Sequence, residues 1–313
     1  MQLFTSLDQI PAGFGPSAVT IGKFDGVHIG HLRMIDKLLS DAAASDLVPT
    51  VLTFDRNPLS LLAPDACPLS LISNEQKREL LESEGVGATV MLEFDRAFSE
   101  HPAEEFVVMV LVDALKAKLV YVGPDFRFGN GGAGNVALLG QMGERYGFEV
   151  REFAIVELDH RRVSSTWVRE LLAAGSVGGA AELLGRPPMV RGIVVPGAKR
   201  GRELGYPTAN LAAEPEGLIP ADGIYAAWAI LDDERMPAAV SVGNNPTFDG
   251  VPARQVEAHI LDRDIDLYGR TIQLDFVDRI RGMEKFESVE ALVARIGIDV
   301  NEARRILVPA GLA

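Results

Sequence analysis

The sequence predicts an α/β protein in two parts: an N-terminal half on a doubly wound parallel sheet, and a C-terminal half folded as a small antiparallel β-barrel with closing helices. Three observations carry this. Up to Leu184, short β-prone runs alternate with amphipathic helical runs. From Arg191 onward, short alternating segments follow one another with only Gly, Pro, Asp and Asn turns between them. Between the two patterns, Gly185-Arg-Pro-Pro188 is a stiff break, which places the expected domains at 1–186 and 187–313. At 313 residues and 47% hydrophobic content, the chain has enough apolar surface for two buried cores.

The first half is organised around residues 18–31. Val19, Thr20 and Ile21 read as a strand, Gly22-Lys-Phe-Asp-Gly26 as a turn, and the apolar positions Leu32, Ile35, Leu38, Leu39 and Ala42 as one face of a helix. Gly22 and Gly26 let backbone N–H groups approach a ligand, and the helix directs its free amides at the same spot, so an anion belongs there. His28 and His31, with Gly30 between them, can donate hydrogen bonds to phosphate oxygens. A second strand, Thr50 to Phe54, ends in the polar Asp55-Arg56-Asn57-Pro58, as strand ends do where they line a site in an open sheet. A helix from Asn74 to Leu81 stops at Gly85, and Thr89 to Leu92 reads as the third strand. A helix beginning at Ala103 and running to Leu115 precedes the fourth strand, Leu119 to Val122. The glycine-rich Gly123-Pro-Asp125-Phe126-Arg127-Phe-Gly129 follows at that strand's carboxyl end, again where ligands bind. Arg161-Arg162-Val-Ser164-Ser165-Thr166-Trp-Val-Arg169 combines hydroxyls that can cap a helix with guanidinium groups that can neutralise a polyphosphate. Gly175 to Leu184 reads as the last helix of this half.

In the second half, strands are expected at Gly192–Pro196, Gly223–Leu231, Ala238–Gly243, Val256–Leu261 and Thr271–Phe276. Glu287–Ile296 and Asp299–Ile306 are expected as two closing helices. Lys199-Arg-Gly201-Arg202-Glu-Leu-Gly205-Tyr-Pro207-Thr208-Ala-Asn210 offers glycines for close backbone approach and three cationic side chains, while the oxygens of Thr208 and Asn210 suit a hard cation such as Mg²⁺. Alternation puts Val256, Ala258 and Ile260 on one side of a strand, with Glu257 and His259 on the other.

Composition removes several alternatives. A formal net charge of −14 argues against general affinity for nucleic acid or an anionic membrane. The string His-Ile-Gly-His also occurs in class I aminoacyl-tRNA synthetases, but the basic face and Lys-Met-Ser-Lys-Ser segment expected of those enzymes are missing here. The single cysteine, Cys67, has no internal partner for a disulfide. There is no basic leader and no uninterrupted run of eighteen apolar residues, so a cytoplasmic location is expected. Small molecules are the expected partners, and self-association is left open.

The longer string Gly-Lys-Phe-Asp-Gly-Val-His-Ile-Gly-His, together with Asp-Phe-Arg-Phe-Gly, Ser-Ser-Thr-x-x-Arg and Pro-Thr-Ala-Asn, resembles the bacterial bifunctional riboflavin kinase/FMN adenylyltransferases. The resemblance implies a Rossmann-like nucleotidyltransferase domain followed by a riboflavin kinase barrel. It implies ATP contacts in the first domain from Gly22, Phe24, Asp25, Gly26, His28 and His31, and from Arg161, Ser164, Ser165, Thr166 and Arg169. Flavin contacts would come from Asn57, Asp125, Phe126 and Arg127. In the second domain it implies ATP contacts from Gly201, Arg202, Gly205, Pro207 and Thr208, a flavin contact from Asn210, and Mg²⁺ held by Thr208 and Asn210. Glu257 would be the base that takes a proton from riboflavin, and His28 and His31 would act in adenylyl transfer. Riboflavin, FMN, FAD and ATP are then substrates and products. Two rivals are a single-activity adenylyltransferase with a flavin-sensing barrel and a flavin store without turnover. The joint presence of Thr208, Asn210 and Glu257 argues against the first.

Overall fold

A run of Ser-Ala-Val-Thr-Ile with parallel neighbours on both sides is buried along its whole length, and it forms the central strand β2 (Ser17–Ile21). The computed structural model describes residues 1–197, 201, 204–243 and 255–307. The chain folds as two units, Met1–Ser164 and Ser165–Ala313.

In the first unit, β1 (Gln2–Phe4), β3 (Val48–Phe54), β4 (Ala88–Leu92), β5 (Ala117–Val122) and β6 (Glu149–Glu152) join β2 in one six-stranded sheet, ordered β1-β4-β3-β2-β5-β6 and parallel throughout. From β2 the chain winds outward to β3 and β4, then crosses to β5 on the other side. Strand order therefore reverses beside β2, and the carboxyl ends of β2 and β5 bracket the crevice where such sheets bind ligands. Helix α1 (Ile29–Ala44) buries Met34, Ile35, Leu38 and Ala42, the predicted stripe. Between β3 and β4 lie the single-turn α2 (Leu59–Leu62) and α3 (Asn74–Ser83), and before β5 come the single-turn α4 (Arg96–Ser99) and α5 (Ala103–Phe106). The apolar run after α5 winds as a π-helix over Val107–Ala114. Helix α6 (Val136–Tyr146) starts where Asn135 accepts from the Leu138 N–H at 2.9 Å and stops at the left-handed Gly147. A two-residue hairpin, β7 (Glu157–Leu158) and β8 (Arg161–Arg162), completes the unit.

The second unit opens with α7 (Ser165–Ala174) and α8 (Val177–Leu184). The helix expected over Gly175–Leu184 is α8, which starts at Val177, and Gly175, with φ 78° in the left-handed region, separates it from α7. Strands β9 (Met189–Val195), β10 (Ala209–Leu211), β11 (Gly223–Leu231), β12 (Glu234–Gly243), β13 (Gln255–Ile260) and β14 (Thr271–Arg281) close into an antiparallel barrel, ordered β10-β13-β12-β11-β14-β9. Tyr225 and Phe276 fill its interior edge-to-face, with ring centroids 5.3 Å apart. The two expected closing helices are one, α9 (Val289–Leu307), which runs through Gly297 without a break. A Cβ at Gly297 would lie 3.1 Å from the Tyr206 hydroxyl, so this glycine serves close packing and does not end the helix. No helix of the described residues is long and apolar enough to cross a membrane.

Candidate active sites

In the first unit, the turn after β2 departs from ordinary backbone. Phe24, Gly26 and Val27 have φ of 49°, 80° and 40°, and a β-branched residue such as Val27 is strained there. The turn is held in this conformation because the Phe24 and Val27 side chains are fully buried beneath it. Gly22 leaves room for the Phe24 ring, which a Cβ would meet at 3.1 Å. The Asp25 carboxylate accepts from the Leu71 N–H at 2.8 Å, fixing the turn to the segment that leads into α3. Phe24 and Asp25 therefore shape the loop from below, while the backbone of Gly22 and Gly26 forms the turn itself.

His28 is the N-cap of α1. Its Nδ1 accepts from the His31 N–H at 3.4 Å. The two rings stack with centroids 3.7 Å apart, and Phe24 leans on His31 at 4.9 Å. Two imidazoles and the N-terminus of helix α1 converge beside the carboxyl end of β2, which is an arrangement for binding phosphate.

Asn57, at the end of β3, accepts from the Leu59 N–H at 3.2 Å and begins α2. After β5, Asp125 takes both Nη groups of Arg162, at 2.9 and 3.2 Å, and this guanidinium holds its carboxyl below the usual range. Phe126 stacks on Phe128 at 5.4 Å, and Arg127 is exposed. The glycine-rich loop is closed by paired backbone hydrogen bonds between Phe128 and Gly134. At Gly129, φ is 72° and a Cβ would press within 2.6 Å of Ala103, so no other residue fits. Arg161 is exposed on β8, and Ser164 is the last residue of the first unit. Ser165, Thr166 and Arg169 lie in the first turns of α7 in the second unit, so this motif spans the division of the chain.

In the second unit, Gly201, Gly205, Pro207, Thr208 and Asn210 lead into and along β10, while Arg202 lies outside the described residues. The Tyr206 N–H donates to the Gly201 carbonyl at 2.7 Å, and a Cβ at Gly201 would be 2.4 Å from the Tyr206 carbonyl oxygen. Antiparallel pairing sets Asn210 of β10 opposite Glu257 of β13. The Thr208 hydroxyl donates to Glu257 Oε2 at 3.4 Å, and Asn210 Nδ2 approaches Thr208 Oγ1 at 3.4 Å. His259 Nδ1 contacts the Pro207 carbonyl at 2.8 Å. As alternation predicts, Val256, Ala258 and Ile260 are buried while Glu257 and His259 are half-buried on the other face.

Thr208, Asn210 and Glu257 border a cavity of about 190 Å³ whose far lining includes Met283, Phe286, Leu292 and Ile296. Thr208 and Pro207 also line a second cavity of about 50 Å³, which Arg263, Asp266 and Tyr268 share. Thr208 therefore lines both cavities, with its hydroxyl beside the Glu257 carboxylate.

Residues 12–167 match the FAD synthetase family model, and residues 184–307 match that of riboflavin kinase. The Escherichia coli K12 bifunctional riboflavin kinase/FMN adenylyltransferase is 37% identical over 287 residues, covering 91% of each chain. This chain belongs to the bifunctional riboflavin kinase/FMN adenylyltransferase family. Members from Pseudomonas fluorescens and Haemophilus influenzae are 35% and 34% identical, covering 99% and 97% of this chain and 99% and 98% of their own. A crystal structure from Streptococcus pneumoniae, described as a macrolide-efflux protein, superposes with a TM-score of 0.85 at 34% identity, covering 96% of this chain and 98% of that one.

Sequence reading missed three residues that frame these family sites. Lys77 is 7% exposed and donates to the Phe54 carbonyl at the end of β3 at 3.2 Å, and burial pushes its pKa down. The signal for it was its place four residues before the buried Leu81, on the same helical face. Arg281 and Asp299 border the larger cavity as a buried ion pair, and nothing in their local sequence marks them.

Proposed function

We propose that this chain carries out both reactions named for its relatives: phosphorylation of riboflavin to FMN in the barrel, and adenylylation of FMN to FAD at the phosphate-binding turn of the first unit. The observation that supports the kinase reading best is the position of Thr208 in the lining of both cavities and beside Glu257. Phosphoryl transfer needs two substrates to meet end to end. The larger cavity, with Phe286 and Met283 in its lining, suits an apolar ring system such as that of riboflavin, and Arg263 and Tyr268 beside the smaller one offer a cation and an aromatic ring for contact with part of a nucleotide.

Glu257 takes the proton from the riboflavin 5′-hydroxyl as its oxygen attacks the γ-phosphorus of ATP, and ADP leaves. Thr208, Asn210 and Glu257 present hard oxygen donors close together, and the absence of a side chain at Gly197 lets its backbone pack against the Asn210 amide, since a Cβ there would lie 2.5 Å from its Cγ. That donor set fits Mg²⁺, which Thr208 and Asn210 would hold and which, when bound, neutralises phosphate charge. In the first unit the FMN phosphate is already an anion, so it attacks the α-phosphorus of ATP without a protein base and pyrophosphate leaves. His28 and His31 donate to the phosphate oxygens as charge shifts. Within the same unit, Arg161 and Ser164 are assigned to the polyphosphate, and Asn57, Asp125, Phe126 and Arg127 to the flavin.

The test is a time course with riboflavin and Mg·ATP in which FMN and FAD are resolved by chromatography. Glu257→Gln is expected to slow FMN formation by roughly 10²- to 10⁴-fold while FAD still forms from supplied FMN. His31→Ala is expected to do the reverse, slowing FAD formation by about 10²- to 10³-fold. Parental FMN formation by Glu257→Gln would sink the assignment of the base.

A further inference from the structure

Helix α9 meets the barrel in two different ways. Its C-terminal half is held by apolar burial, with Val300, Ala303 and Leu307 in one cluster with barrel residues such as Ala226 and Leu261. From its N-terminal half, Leu292 and Ile296 line the cavity that Glu257 borders, Val300 reaches the same cavity, and Ile296 also packs against the cluster. Asp299 sits where the two halves meet and is 3% exposed. Arg281, the last residue of β14, donates to it from Nε at 2.9 and 3.0 Å and from Nη2 at 2.6 Å. Arg295, one turn earlier on α9, adds a contact from its own Nε at 3.1 Å. The remaining nitrogen of Arg281, Nη1, donates to the Gly282 carbonyl at 3.0 Å, and the guanidinium lies over the Phe286 ring at 5.6 Å. One carboxylate thus ties together the end of β14, the segment that brings Phe286 to the cavity, and the helix that brings Ile296.

A buried ion pair is no better for stability than an apolar pair of the same volume, so stability alone does not account for this one beside a cavity. We propose that Arg281 and Asp299 are positioning residues for riboflavin: they hold Phe286 and Ile296 as a fixed wall that seats the ring system with its hydroxyl at Glu257. This rests on reading the larger cavity as the flavin site. Neither side chain is assigned any contact with the reacting atoms. Their role is affinity and placement, not chemistry.

The experiment compares Arg281→Met, Asp299→Leu, the double variant and Arg281→Lys in the full chain, by melting temperature, riboflavin fluorescence quenching and steady-state kinase kinetics. Each of the first two leaves a buried charge alone and loosens α9, whereas the double variant removes both charges and restores stability. The double variant is nevertheless expected to raise the KM for riboflavin by about 10- to 100-fold, with kcat and the KM for ATP within about twofold of parental values. Arg281→Lys keeps the charge without the two-pronged contact and should fall between, at a parental melting temperature. A double variant with parental riboflavin KM would overturn the positioning role and leave the pair as packing. Absence of riboflavin binding by the parental chain would overturn the flavin assignment of the cavity instead.

Discussion

Asp41 shows what one carboxylate does when neighbouring elements converge on it. Lys37 donates to it at 2.7 Å from one turn earlier on α1, the Tyr121 hydroxyl reaches it from β5, and Arg151 Nη1 reaches it from β6 at 2.5 Å. The Lys37 hydrogen bond, followed by that of Tyr121, lowers its pKa to about 2. A folded value below the unfolded one, about 3.9, means that the stabilisation is fully present above the unfolded value and is lost as pH falls through the folded one. Asp41→Asn should therefore lower the urea midpoint by a constant amount from pH 7 to 5, and the gap to the parent should shrink between about pH 4 and 2. A gap unchanged at pH 2.5 would count against the pairing. Residues of this kind were not legible in the sequence, because Asp41, Tyr121 and Arg151 are distant in the chain and only the sheet order joins them. The sequence did bring Thr208, Asn210 and Glu257 into view, because Pro-Thr-Ala-Asn marks the first two locally and the family resemblance singles out Glu257 on its alternating strand; the structure sets all three around one cavity.

Helix α3 is the element whose signal and structure agree most directly. Ser73 accepts from the Gln76 N–H at 3.1 Å while Gln76 Oε1 accepts from the Ser73 N–H at 2.9 Å, the reciprocal cap that a Ser-x-x-Gln spacing encodes. The cap seats Gln76 and Lys77 against the sheet. Ser73→Ala is expected to cost about 1 kcal/mol, which in a unit of this size lowers the melting temperature by about 2–4 °C. An unchanged melting temperature would mean that other contacts set the helix start. Elements that sequence reading missed or divided have their own reasons. β1 and β10 are three residues each, and β6 is Glu-Val-Arg-Glu, too short or too charged to stand out as strands. α9 was split at Gly297 because glycine there reads as a stop, whereas its reason is the Tyr206 hydroxyl lying against it.

On the scale of the whole chain, the expected boundary near Gly185 and the division at Ser164 and Ser165 differ by two helices. The difference is physical: α8 buries Val177, Ala180, Leu183 and Leu184, Arg279 of β14 donates to the Ala174 carbonyl at the end of α7, and the Ala221 N–H donates to Leu172. We propose that residues 187–313 hold the complete kinase while α7 and α8 brace its barrel. Fragments 165–313 and 187–313 should then both make FMN and no FAD, and the longer should melt at the higher temperature. A shorter fragment as stable as the longer would remove the bracing role. The strand ladders carry one further consequence, for behaviour at high concentration. The barrel is a closed ring with no open flank, and the parallel sheet ends in β1 of three residues on one side and the charged β6 on the other. Long, flat, apolar flanks are what let copies of a protein zip into shared sheets and fibres, and these two ladders offer none. Any self-association through these ladders is therefore left to side-chain faces that can come apart again, not to shared backbone.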